Sequence, residues 1–121
     1  MARDKGLILH STVGIGYDVP WRQVEAMLLL AAEHTEGLLK EPKPFIRQKS
    51  LGDYAVNYEL NASCDNASKM MELYTKMHRN IQDVFNEHGV QIMSPAYKAD
   101  PAESKVVPKE RWYTPPATEP G

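Results

Sequence analysis

The stretch Thr12 to Val24, TVGIGYDVPWRQV, changes its pattern halfway along. Up to Tyr17 the residues alternate. Leu7, Leu9, Val13, Ile15 and Tyr17 fall on one face of an extended chain, and His10, Thr12, Gly14 and Gly16 on the other. One face is apolar and the other is thin and polar. Beyond Asp18 the spacing becomes helical. Pro20 has φ already set for a first helical turn, where its missing N–H costs nothing, and Asp18 is placed to accept from the orphan amides there. Gly14 and Gly16 present no side chain, which leaves room for another backbone or subunit to approach; a locally flexible strand is the plainer reading.

Working outward, the first helix is expected from about residue 20 to 35, with Trp21, Val24, Met27, Leu28 and Ala31 forming its buried stripe. Gly37 permits its end, and the prolines of KEPKP (residues 40–44) make a loop. A strand over 45–49 and a turn at Leu51, Gly52 and Asp53 lead into the clearest strand. There Tyr54, Val56, Tyr58 and Leu60 alternate with Ala55, Asn57, Glu59 and Asn61, the first set facing the core. Asp65, Asn66 and Ser68 are N-cap candidates for a long helix. Its apolar side is Met70, Leu73, Tyr74, Met77, Ile81, Val84 and Phe85, and it ends at Gly89. Val90 to Met93 is a final strand, stopped at Ser94 and Pro95.

The order is βαββαβ. Two amphipathic helices bury their stripes most simply on one face of an antiparallel four-stranded sheet, an α+β ferredoxin-like sandwich with expected strand order 4-1-3-2. This domain is expected to occupy residues 1–97. Over 98–121 prolines are scattered among charges, which predicts an extended Pro-rich arm, within which Val106, Val107, Trp112 and Tyr113 are apolar enough to dock on this chain or a neighbour; a disordered tail is the other reading.

A chain of 121 residues is long enough for one self-supporting core. The single cysteine, Cys64, cannot form an internal disulfide or a cysteine-based metal site. A net charge of -2 with interspersed signs gives no cationic surface for nucleic acid. The longest apolar run, residues 26–32, is far short of a membrane span, and the first residues lack a signal peptide's apolar region. Tyr54 and Tyr58 share their face with Val56 and Leu60, which makes them core residues rather than a base-stacking platform. No two of His10, His34, His78 and His88 stand at i, i+4. The short GIG of residues 14–16 lies within a strand rather than at a phosphate-binding turn. Neither a catalytic constellation nor a cofactor or metal site is expected. His88, beside Gly89, suits a donor at a helix C-terminus.

The blocks GYDVPWRQVEAMLLLAAEHT, LKEPKPFI, LGDYAVNYELNA and HRNIQDVFNEHGVQIMSP, together with Tyr97, resemble the C-terminal cytoplasmic domain of small-conductance mechanosensitive (MscS-like) channels, in the same order and over nearly the whole chain. The resemblance implies a cytoplasmic cage domain of a tension-gated ion channel. Its role is structural and oligomer-forming, and it is not an enzyme. The implied partners are copies of itself, as a heptamer in full-length relatives, and the permeating ions and solutes. The membrane is reached only through an N-terminal part that this chain lacks. In such proteins the segment after the final strand can join a closure at the cage base, and the prolines after Asp100 depart from that pattern. Gly14, Gly16, Trp112 and Tyr113 are the expected interface residues. The other reading is a freestanding cytosolic ferredoxin-like domain that binds a small ligand or regulatory partner.

Overall fold

The computed structural model describes residues 7–93 and 106–120. Its elements run β1 (Leu7–Gly16), α1 (Trp21–Glu33), β2 (Phe45–Leu51), β3 (Ala55–Cys64), α2 (Met70–Glu87) and β4 (Ile92–Met93), with 3-10 turns at Ala67–Lys69 and Lys109–Arg111. The four strands form one antiparallel sheet ordered β2-β3-β1-β4. Counted from the β4 edge, this is the 4-1-3-2 arrangement that the pattern suggests.

The centre of the sheet is the β1–β3 ladder, which pairs without a break from Leu7 opposite Cys64 to Gly16 opposite Ala55. That register puts Leu9 and Ile15 on the same face as Val56, Tyr58, Leu60 and Ala62, all buried. Both helices close this face. Val24, Met27, Leu28 and Ala31 of α1 and Leu73, Met77, Ile81, Val84 and Phe85 of α2 join one core cluster with the strand residues. Two ten-residue strands in full register thus carry two amphipathic stripes, and burying each large side chain contributes roughly 1.5–3 kcal/mol.

Several side chains depart from the expected pattern, and each lies at the end of an element. Tyr17 and Tyr54 flank the last paired residues, Gly16 and Ala55, where the pleat no longer dictates direction, and both are about half exposed. Tyr17 instead donates its hydroxyl proton to the Gly52 carbonyl at 2.6 Å. Trp21 is not part of the buried stripe. It is exposed at the first turn of α1 with the Arg22 guanidinium 4.3 Å from its ring centroid. Asp18 does not cap α1, whose N-cap position is Pro20 with no side-chain hydrogen bond. Its carboxylate lies over Gly16, with Oδ1 2.8 Å from where a Cβ would stand.

The helix ends follow more ordinary chemistry. Asn66 accepts from the Ser68 amide at 3.0 Å and starts the turn that leads into α2. Gly89 takes φ +69° after α2, and His88 Nδ1 lies 2.8 Å from the Val84 carbonyl, so the ring donates there. The α1 exit is fixed against α2. Thr35 donates to the Ala31 carbonyl and accepts from Asn80, both at 2.8 Å. Gly37, at φ +105°, leaves no room for a side chain because Leu73 occupies that space.

Candidate interaction surface

With one face of the sheet covered by helices, candidate sites lie on the other face, along the sheet edges and on the arm. The face away from the helices carries His10, Thr12, Gly14 and Gly16 from β1, with Glu59, Asn57 and Ala55 opposite the last three. Both glycines are half-buried. A Cβ on Gly14 would stand 3.3 Å from Asn57 Oδ1 and 3.5 Å from the Ala55 side chain, so the space above it is bounded by β3. The space above Gly16 is taken by Asp18 of the same chain. Asn61 is buried on this face, with Oδ1 2.5 Å from His10 Nδ1. Because Asn61 Nδ2 donates to the Glu59 carbonyl, Oδ1 is the acceptor and His10 Nδ1 carries the proton.

The β4 edge is the second place where polar groups converge. β4 covers only Gly14 and Ile15 of β1. Farther along the same edge, the His10 amide donates to the Tyr74 hydroxyl of α2 at 3.0 Å. Ser11 Oγ lies 2.7 Å from His78 Nε2 beside a groove of about 370 Å³ lined by His10, Thr12, Gln82 and Ile92 among others. A hydroxyl beside an imidazole is the first half of a nucleophile–base pair. Among the described residues no acid bonds the other ring nitrogen, and His78 is exposed, so the contact ties β1 to α2. Sequence reading missed this pair, since Ser11 and His78 are 67 positions apart and no spacing rule links them.

A second groove, of about 400 Å³, mixes Lys76 and Arg79 with Glu36 and Asp83 between the end of α1 and α2. Partial desolvation and the neighbouring Glu87 carboxylate push the carboxyl of the exposed Asp83 upward, and Lys109 of the arm pulls it partly back. Among the described residues the buried Tyr58 phenol is also moved from its ordinary value, raised by burial and then by the Glu25 carboxylate. Among the described residues no group of three His, Cys, Asp or Glu side chains is placed to hold a metal, and no helix is long and apolar enough to cross a membrane.

The aromatic residues of the arm stand apart from the glycines. Residues 109–111 form a single 3-10 turn, followed by a further turn in which Thr114 donates to the Arg111 carbonyl. This part of the arm is turned rather than extended, because Trp112 folds back to donate its indole N–H to the Val107 carbonyl at 3.0 Å. Trp112 is half-buried and Tyr113 exposed. The expected domain boundary at residue 97 and the first part of the arm lie outside the described residues.

These features define a two-layer α+β domain with both helices on one sheet face and polar side chains on the other. The family model described as "Mechanosensitive ion channel MscS, C-terminal" matches residues 10–92, more than half of the chain and nearly all of the sheet and both helices. The chain belongs to this family, the C-terminal domain of MscS-like channels. No curated protein sequence gives a significant match.

Proposed function

We propose that the chain is the cytoplasmic C-terminal cage domain of a mechanosensitive ion channel, with a structural and oligomerising role in tension-gated ion transport rather than a catalytic one. The observation that carries this reading is the family match over residues 10–92. In this reading residues 1–97 are a ferredoxin-like wall element and 98–121 a tail, copies assemble into a ring that is a heptamer in the full-length protein, and permeating ions and solutes pass the wall. The membrane is engaged only through an N-terminal part on the other side of the junction with this domain. Gly14, Gly16, Trp112 and Tyr113 are the proposed interface residues. Trp112 and Tyr113 suit that role best, because aromatic anchors dominate interface energies and Tyr113 is exposed.

The experiment is to recover the complete reading frame and measure the assembly it encodes. Membrane-spanning helices ahead of this domain, and a native mass that changes when the domain is deleted, are the expected results. A reading frame with no such helices, or an assembly indifferent to the domain, overturns the proposal.

A further inference from the structure

The arm meets the rest of the molecule at the C-terminal end of α2. The Val107 amide donates to Asn86 Oδ1 at 3.1 Å, and the Lys109 ammonium lies 3.4 Å from Glu87 Oε2. Lys109 also acts on the nearby Asp83 carboxylate. Within the arm, the Trp112 indole bond to the Val107 carbonyl and the 5.8 Å approach of Lys109 to the Trp112 ring close residues 107–112 into a compact turn. This turn presents its own backbone amide and its lysine to the helix.

α2 gives a reason for that contact. Its last turn contains no basic residue, although the negative end of a helix dipole favours one. Asp83 and Glu87, spaced i, i+4, add two carboxylates to the same end. On α2 itself, Lys76 is already paired with Glu72 one turn farther back. Arg79 shares a groove with Asp83 and the His88 ring donates to the Val84 carbonyl, but the cation paired with Glu87 is Lys109 of the arm. At the same time, none of the described arm residues joins the hydrophobic core or packs against it as a partly buried neighbour. The ion pair is solvent-exposed at both ends.

We propose that residues 107–112 are a reversible electrostatic strap, which supplies the counter-charge to the C-terminal end of α2 and is poised to release as ionic strength rises. One hydrogen bond and one exposed ion pair each shift an equilibrium by only about two- to tenfold, and the ordering of the arm opposes them. A contact of that size sits near balance, and the exposed pair is the part that salt screens. The strap does not depend on whether the chain forms a ring, because both of its halves belong to one molecule.

The test is amide hydrogen exchange at Val107 in the full chain, with the Leu60 amide in the middle of β3 as the control for an intact fold. At low salt the Val107 amide is expected to exchange more slowly than in Asn86→Leu, which lacks the acceptor. Lys109→Glu and Glu87→Lys are each expected to speed its exchange by about two- to fivefold, and the double charge swap to restore it. Raising salt from about 0.05 to 1 M is expected to speed exchange in the native chain and leave Lys109→Glu nearly unchanged. Val107 exchange that is indifferent to salt, or single variants that are not rescued by the swap, overturns the strap. So does exchange already as fast at low salt as in Asn86→Leu.

Discussion

Tyr58 in β3 and Trp112 in the arm are both large aromatic residues, and the molecule holds them by opposite means. Tyr58 is buried in the core cluster that both helices join, while Trp112 bonds to a carbonyl five residues away and is not part of that cluster. The layer around Tyr58 gets its order from buried area, which is cooperative and is not weakened by ionic screening. The arm gets its order from a few polar contacts that water and ions compete for. If this contrast is right, equal truncations in the two regions have unequal consequences.

The largest effect is expected from Phe85→Ala. This side chain is 1% exposed at the heart of the core, and its loss should cost about 3–5 kcal/mol in urea unfolding. Trp112→Ala should leave unfolding of the domain within about 0.5 kcal/mol of the native chain, because Trp112 is absent from the core. If the proposed interface role holds, the same variant lowers the assembled mass measured by light scattering. Comparable unfolding losses for the two variants would break the contrast.

Two glycines sharpen it at the helix ends. Gly37 and Gly89 both have positive φ, at +105° and +69°, but only Gly37 has another side chain in the way: a Cβ there would stand 2.7 Å from Leu73 Cδ2. Gly37→Ala should therefore cost about 2–3 kcal/mol, and Gly89→Ala, which meets nothing within 4 Å, about 1 kcal/mol. Equal losses in thermal unfolding would mean that backbone strain alone sets the cost and the α1 exit is not packed against α2.

How much of this was legible in the sequence follows the same division. Wherever a residue lies within a paired strand or a helical stripe, its periodicity gives its side: Leu9, Ile15, Val56, Tyr58 and the apolar row from Leu73 to Phe85 are all placed by it. Tyr17, Trp21 and Tyr54 escape it, since each sits at or just beyond an element's end, where no neighbour enforces the period. Asp18 looked like a helix cap because its type and position fit one. Its preference for the space above Gly16 depends on the glycine's missing side chain, which no capping rule includes. The Ser11–His78 and Val107–Asn86 contacts arise only when distant elements meet, and nothing local marks them. The family, by contrast, was readable because its blocks coincide with the elements themselves.

A smaller effect tests whether enclosure alone stabilises the central layer. The Tyr58 phenol is buried, its hydroxyl has no hydrogen-bond partner among the described residues, and the Glu25 carboxylate lies close enough to raise its pKa. Tyr58→Phe keeps the packing and removes the unpaired hydroxyl. Stability is expected to stay level or rise by roughly 1 kcal/mol. A loss above about 1 kcal/mol in urea unfolding would show that the hydroxyl is bonded and that the layer relies on polar contacts as the arm does.

The smallest effect lies where the two regions meet. Partial desolvation of the exposed Asp83 and the Glu87 carboxylate raise its carboxyl in the folded protein, so the native state holds that proton more tightly than the unfolded chain does. Its contribution to stability is therefore fully present below the unfolded carboxylate value, near pH 4, and is lost as pH rises through the folded value. Asp83→Asn removes this loss: it should match the native chain in acid and unfold at slightly higher urea at neutral pH. Lys109 works in the opposite direction, lowering the same carboxyl, so Lys109→Met should widen the neutral-pH advantage of Asp83→Asn. The substitution that steadies the helix also removes one of the two carboxylates that attract the arm. Asp83→Asn is accordingly expected to stabilise the domain while speeding exchange at Val107. An advantage that is equal in acid and at neutral pH would place the effect in packing, and would separate Asp83 from the charge balance between α2 and the arm.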